Sequence, residues 1–368
     1  MPRVVIVGGG VGGLSAAGRL SRARKALEIL ILDSHGDHLY QPGLVRVPLY
    51  GRADTLARPG CELVRRPVTY AVGRVKAIDR DRREVRLEDA SRISYDWLIL
   101  ASGTRLHHEA VPGAREASHN FHCRKAAERL REQLERFRGG RILLGSLGGP
   151  YKNPASVVEF ACLLDEWLRH RGLRSRTELS VFGPDPLPVA DETLGRAANE
   201  VLSQRGIPFR GPVRLRHVDP SARRAHFDSE PLEYDLLVVV PEHRPQPLVA
   251  ESGLAGPRGW IPVDPQTLKA ADRLYAVGDT ADLGAPKLGS AARLQGRVAA
   301  ANILDEIEDR PPGHRYDGRA EAWVECGEGK ALDVRFRRDV PTEVRGPARW
   351  TWWRKRILER VYFRRIGR

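Results

Sequence analysis

Along the chain, short wholly apolar runs alternate with segments whose apolar residues recur at helical spacing. Val4-Val5-Ile6-Val7 is the first such run, as expected of a parallel strand buried on both faces. A loop of glycines follows, and Leu14, Ala16, Ala17 and Leu20 then give a small-residue helix able to pack closely on a sheet. Glu28-Ile29-Leu30-Ile31-Leu32-Asp33 reads as the next strand, completing one βαβ unit. The pattern predicts further strands at Leu98–Ala101, Arg141–Leu144, Glu178–Phe182 and Leu236–Val240, with an amphipathic helix over roughly residues 155–171. Strands alternating with helices imply a doubly wound α/β architecture.

The strand at Arg141–Leu144 runs into a second glycine-bearing turn, Gly145-Ser146-Leu147-Gly148-Gly149, and so opens a second nucleotide-type unit. After the proline-rich stretch from Pro241 to Pro247, Leu274-Tyr275-Ala276-Val277-Gly278-Asp279 reads as a strand returning to the first unit. The predicted organisation is two Rossmann-like dinucleotide-binding domains followed by a basic, aromatic C-terminal element. The first domain is discontinuous, residues 1–112 and 245–312; the second spans 113–244, and the C-terminal region spans 313–368.

The glycines carry the chemistry. Gly8-x-Gly10-x-x-Gly13 sits between a strand and a helix, with Gly12 inside it. The first glycine makes the tight turn, the second admits a pyrophosphate to the backbone, and the third lets helix and strand pack. The helix start adds free N–H groups and partial positive charge. Asp33 falls twenty residues past Gly13, where a carboxylate accepts from ribose hydroxyls and disfavours a 2′-phosphate. The expected ligand is the ADP half of FAD. Asp279 is placed to hold the ribityl-phosphate end of such a flavin, a plain helix cap being the alternative.

Charge and cysteines change the picture at two points. The formal charge is +14 over 368 residues, and the stretch from Arg345 to Arg368 holds nine Arg or Lys against one Glu. Trp350, Trp353, Ile357 and Val361 fall at helical spacing there, beside Leu358, Tyr362 and Ile366. A helix with Trp on one side and Arg on the other suits the interface of an anionic bilayer. Nucleic acid would answer the charge but explains the tryptophans less well, and a helix packed on the body with a solvated basic face is the bland alternative. The cysteines Cys61, Cys123, Cys162 and Cys326 have no metal-binding spacing, so no metal site is expected. Met1-Pro2-Arg3 runs straight into the first strand, with no secretory signal, and no apolar run reaches the ~18 residues of a spanning helix. The expectation is a cytoplasmic protein, peripheral on the inner face of the cell membrane.

Taken in order, these residues resemble the sulfide:quinone oxidoreductase and flavocytochrome c sulfide dehydrogenase group of two-domain flavoproteins. The resemblance rests on the glycine fingerprint, His38-Leu39-Tyr40-Gln41-Pro42, and Ala101-Ser102-Gly103 after the Leu98 strand. It continues through Pro150-Tyr151-Lys152-Asn153-Pro154, Gly278-Asp279, Pro286-Lys287-Leu288-Gly289 and Gly327-Glu328-Gly329-Lys330. It implies an FAD held by Ala101, Ser102, Gly103, Gly278 and Asp279 besides the fingerprint. A sulfide-type donor would react on one face and a quinone on the other, with an anionic membrane surface met by Trp350–Arg368. It allows a homodimer and gives no reason to expect nucleic acid. Lys287 matches the family's lysine at the flavin's pyrimidine edge, where a cation stabilises negative charge.

The chain departs from this pattern at the redox thiols. Asn153 stands where the family has one cysteine, and the second position falls on Ala322, four residues before Cys326. Cys123 matches an auxiliary cysteine. Asn cannot become a thiolate, so the candidates at the reacting centre are Lys287, Cys123, Asn153 and, if its loop shifts by a turn, Cys326. Cys162 reads as a buried small hydrophobe. The second turn is not GxGxxG, and Pro150 removes a backbone N–H, which disfavours NADH there. An NADH:quinone oxidoreductase and a non-catalytic flavin-binding subunit are the alternative readings.

Overall fold

The computed structural model describes residues 1–367, so Arg368, at the end of the basic element, lies outside the described residues. Two parallel sheets dominate. The first runs in the order Lys269–Ala271, Leu274–Ala276, Trp97–Leu100, Arg3–Val7, Glu28–Asp33 and Val68–Val72. All its pairings are parallel except that of the Lys269–Ala271 edge. Val4, Val5, Ile6, Leu98, Ile99 and Leu100 are wholly buried, as their unbroken apolar runs require of a sheet covered on both faces. The late strand therefore does return beside the first domain's strands, and stops at Ala276, before a short 3-10 turn over Gly278–Thr280.

The second sheet orders Phe209–Arg210, Thr177–Phe182, Gly140–Ser146 and Leu236–Val240, all parallel. Its helix Ser156–His170 presents Val157, Val158, Phe160, Ala161, Leu164 and Leu168 to the core, matching the predicted amphipathic segment. Cys162 lies among them with no exposure, a packed small hydrophobe as expected. An antiparallel ribbon, Thr104–His107 against Glu242–Pro245, links the two halves. The sequence pattern did not predict this ribbon.

Beyond residue 313 the chain forms more than a tail. Ala320–Gly327, Lys330–Arg337 and Val340–Ala348 make a three-stranded antiparallel sheet, with the Gly-Glu-Gly-Lys segment turning the first hairpin. The helix Arg349–Arg365 follows. This sheet is pinned to the second domain at Asp165, a carboxylate with no exposure that accepts from Arg169, Arg174 and Arg205 at 2.9, 2.6 and 2.8 Å. Burial alone would raise its pKa, but the three guanidinium bonds outweigh it and hold the carboxyl below its ordinary value. Arg205 also donates to the Cys326 carbonyl at 2.7 Å, so one buried acid ties domain and sheet together.

Candidate cofactor and redox site

The glycine loop has the geometry a dinucleotide needs. Gly8 sits at φ +109°, and a Cβ there would meet the Ala101 carbonyl oxygen at 2.3 Å. A Cβ on Gly13 would lie 2.0 Å from the Gly8 carbonyl oxygen, so both positions exclude any side chain. Gly10, by contrast, faces open space, with nothing within 4 Å of a Cβ. The turn is closed where it packs and open where a pyrophosphate would lie. Asp33 accepts the Gly9 N–H, and the His35 N–H at 2.8 Å, which sets its carboxylate beside the loop.

A second helix shares the cradle. Gly289–Ile307 begins next to the first helix, and Gly296 comes so close that a Cβ on it would sit 2.2 Å from the Gly12 carbonyl oxygen. Gln295 on that helix accepts the Gly278 N–H at 2.7 Å, and Gly278 adopts φ +72°. Ser102 donates to Thr280 at 3.3 Å, bringing the Ala101-Ser102-Gly103 segment to the Gly278-Asp279 turn. The sequence reading missed Gln295 and Gly296. Their only signal is a small-residue pattern in an alanine-rich helix.

Two of the four reacting-centre candidates, Lys287 and Asn153, come together, and Cys123 lies near enough for its charge to act on Lys152. Lys287 donates to the Asp279 carbonyl at 2.6 Å and lies 3.6 Å from the centre of the Trp260 ring. Burial pushes its ammonium down to about 8, opposed by the charges of Asp279 and Asp282. The Asn153 N–H donates to the Lys287 carbonyl at 3.1 Å, with Asn153 in the left-handed region at φ +53°. Neighbouring Lys152 donates to Gln41 at 2.8 Å, and its pKa is lowered by burial against the opposing pull of Asp279 and Cys123. Cys123 itself is exposed at the start of the helix Arg124–Arg136.

Cys326 does not join them. It is buried, donates its thiol to the Val324 carbonyl at 3.3 Å, and burial pushes its pKa up to about 12. A thiol held neutral and enclosed in this way is no nucleophile at neutral pH, so the substitution of Cys326 for the missing thiol is set aside. Behind Asn153, His122 and His243 face each other at 5.1 Å. His243 has no exposure, and burial next to Lys152 brings its pKa down to about 3.

The second glycine turn is tight at two of its three glycines. A Cβ on Gly145 would meet the Phe182 ring at 2.6 Å, and one on Gly149 would meet the Glu242 side chain at 2.7 Å. The Pro150 carbonyl accepts the His243 N–H at 2.9 Å, and Tyr151 donates to the Pro154 carbonyl at 3.0 Å. Gly149 thus packs against the ribbon and Gly145 against the neighbouring strand, while a Cβ on Gly148 would have no neighbour nearer than 3.5 Å.

The tail helix inverts part of its expected arrangement. Trp350, Trp353 and Ile357 are 70%, 55% and 54% exposed, at the predicted spacing. Lys355, one of the basic residues of the Arg345–Arg368 stretch, is by contrast buried. It donates to Glu159, and lies 3.1 Å from Glu325. Glu325 also accepts from Arg46 at 2.5 Å and from the Trp352 indole at 3.0 Å. Farther along, the Tyr362 hydroxyl donates to His38 Nε2 at 2.8 Å, while His38 Nδ1 donates to the Gly9 carbonyl at 2.9 Å. Burial lowers the His38 pKa, keeping the ring neutral as both bonds require. His38 thus spans from the cradle to the tail.

The family model for the pyridine nucleotide-disulphide oxidoreductases matches residues 2–296. The mitochondrial sulfide:quinone oxidoreductase of Dictyostelium discoideum is 26% identical over 354 residues, covering 91% of this chain and 77% of the relative. The alternative NAD(P)H-ubiquinone oxidoreductase C1 of Arabidopsis thaliana is also 26% identical, covering 84% and 68%. The solved sulfide:quinone oxidoreductase of Aquifex aeolicus superposes with a TM-score of 0.88 at 19% identity, covering 100% of this chain and 92% of that one. FAD is the cofactor of such oxidoreductases, and the open cradle at Gly10 fits its pyrophosphate. The chain belongs to the pyridine nucleotide-disulphide oxidoreductase family.

Proposed function

We propose that the chain is an FAD-dependent oxidoreductase that takes electrons from a small sulfur-type donor and delivers them to a quinone. The observation that carries this reading is the contrast between the two glycine turns. The first is open at Gly10, while in the second Gly145 and Gly149 pack against Phe182 and Glu242 and Pro150 withholds a backbone N–H, which argues against a pyridine nucleotide there. Gly8, Gly10, Gly12, Gly13 and Asp33 would hold the ADP half. Ala101, Ser102, Gly103, Gly278 and Asp279 would hold the remainder. Bound FAD supplies a carrier that accepts an electron pair and gives it up again.

The protein's own residues supply charge and position. Lys287 keeps a cation beside Asp279, and Asn153 fixes the loop that carries Lys152 toward the same place. Lys152 offers positive charge to an anionic donor such as hydrosulfide. With Asn153 and Ala322 at the thiol positions, the donor is oxidised without a cysteine pair. The acceptor side is assigned to the tail helix. Its exposed Trp350-Trp353-Ile357 stripe, flanked by Arg354, Arg360 and Arg364, would seat the chain on an anionic bilayer where quinone is found. None of the described helices is long and apolar enough to cross a membrane, so such seating would be peripheral.

The first test is an anaerobic titration of the yellow holoprotein. Sulfide is expected to bleach the flavin absorbance, and NADH to leave it unchanged over minutes. Bleaching by NADH within seconds would instead support an NADH:quinone oxidoreductase, which the Arabidopsis relative keeps in view. Bleaching by neither would leave a non-catalytic flavin-binding subunit. The second test replaces Trp350, Trp353 and Ile357 with Ser. Cosedimentation with vesicles rich in anionic lipid should fall at least tenfold with flavin content unchanged, and unaltered sedimentation would remove the tail from the membrane.

A further inference from the structure

A second concavity lies behind the cradle, away from Lys287 and Asn153. It encloses about 460 Å³ between the end of the first helix, the middle of the helix Gly289–Ile307, and the segment leading into the tail sheet. Arg19, Arg22, Arg297, Arg315 and Arg319 line it, against a single acid, Asp317. Arg319 pairs with Asp317 at 3.2 Å. Among the described residues, the other four guanidiniums have no carboxylate partner.

Other arginines of this chain meet carboxylates, as at Asp165, Asp305 and Glu233, whereas these four gather around one hollow. The C-terminal dipole of the first helix favours Arg19, but it does nothing for Arg297 or Arg315. Four like charges around one hollow raise its positive potential and draw a counter-anion into it. The floor is apolar. Leu294, Val298 and Ala301 lie one turn apart on a single helix face. A cationic rim over an apolar floor, at a volume typical of small-molecule sites, fits a ligand with an anionic head and an apolar body. Guanidinium forks engage phosphate in pairs, so four unpaired forks match two phosphates.

We propose that this cavity binds a diphosphate-bearing ligand, with its phosphates on Arg19, Arg22, Arg297 and Arg315 and its apolar portion on Leu294 and Val298. A nucleoside diphosphate and a diphosphatidyl lipid headgroup share this chemistry. The inference does not depend on the donor or acceptor assigned above.

The test uses the holoprotein with FAD bound, so that the cradle cannot take the probe. One arm titrates ADP by calorimetry, with AMP as comparison. The other measures cosedimentation with phosphatidylcholine vesicles with and without cardiolipin. Each arm is repeated with the double variant Arg297→Glu, Arg315→Glu. Binding is expected in at least one arm, and at least tenfold weaker in the double variant at unchanged flavin content. In the ADP arm, AMP should bind at least tenfold more weakly than ADP. ADP binding identifies a soluble ligand, and cardiolipin-dependent binding lost in the variant identifies a lipid. Binding in neither arm would overturn the proposal. So would ADP binding matched by AMP, or vesicle binding that survives in the double variant. Should that variant lose its flavin, Arg297→Gln alone keeps the question open to the same two measurements.

Discussion

Replacing Lys355 with Ala should destabilise the protein by about 3–5 kcal/mol, the cost of stranding buried charge by removing its partner. The lysine is enclosed between Glu159 and Glu325. Burial would lower its pKa, but the charges of Glu159, Glu325 and Glu359 outweigh that and raise it. Without it, two carboxylates face each other with Arg46 and the Trp352 indole as the remaining donors to Glu325. The tail helix loses the contact that holds it against the second domain. Thermal unfolding monitored by circular dichroism should show the loss, and trypsin should cut the arginine-rich helix sooner. The triple variant Lys355→Met, Glu159→Gln, Glu325→Gln should recover much of the stability, because the one guanidinium then left without its carboxylate, Arg46, is partly exposed. A Lys355→Ala protein that melts like the parent would show that the cluster contributes nothing.

Within the cluster the two carboxyls shift oppositely, burial raising Glu159, and the pH dependence has a definite sign for Glu325 alone. Burial raises the Glu325 pKa, but Lys355 and Arg46 outweigh it and leave it below its ordinary value. A carboxyl with a depressed folded pKa contributes stability above its unfolded pKa and loses it as pH falls through the folded value. The Glu325 contribution should therefore be lost on the acid side of about pH 4. In Glu325→Gln that part of the acid limb should flatten.

The second large effect is expected at Gly296, outside the glycine fingerprint. An added Cβ would lie 2.2 Å from the Gly12 carbonyl oxygen and 3.2 Å from the Ala16 nitrogen. Both are backbone atoms of the first helix, so the two helices must separate. Overpacking of this kind costs about 1–3 kcal/mol. Because Gln295 beside it holds the Gly278 N–H, the displacement reaches the cradle directly. Gly296→Ala should bind FAD about tenfold or more weakly and should also lower the melting temperature of the flavin-free chain. Gly10→Ala supplies the contrast. Its Cβ meets nothing and its φ of −72° suits alanine, so the flavin-free chain should melt normally while FAD is excluded. Flavin-to-protein absorbance after gel filtration, with melting of both apo-proteins, separates the cases. Normal flavin content in Gly296→Ala would show that the helices are not held at this contact.

The two variants also mark what the sequence made legible. Gly8, Gly10, Gly13 and Asp33 were readable because strand, turn, helix and acid follow one another within a short stretch, where local periodicity reports structure. Leu98–Leu100 and Leu236–Val240 were readable for the same reason: a strand buried on both faces has no polar positions to confuse its pattern. Gly296 was not, because its constraint is a backbone on another helix. The burial of Lys355 was not legible because its partners Glu159 and Glu325 come from distant segments, and a lysine among arginines looks solvated until those segments fold onto it. The tail sheet was missed for a different reason. Its third strand, Val340–Ala348, carries little buried apolar surface, so the alternation that betrays a strand is weak. Cys326 was considered as a stand-in thiol because spacing alone cannot distinguish an enclosed cysteine from a reactive one.

The bridge from Gly9 through His38 to Tyr362 couples two events that are usually considered separately. One imidazole accepts from the tail and donates to the cradle, so the free energy of docking the last helix and the free energy of retaining the flavin share a term. Reciprocity then requires that each strengthen the other by the same factor. A chain that has lost its flavin is also one whose final helix is less firmly held. Were that helix to seat the chain on a bilayer as proposed, cofactor loading would become a form of quality control, with the filled molecule the one best prepared to take up its station.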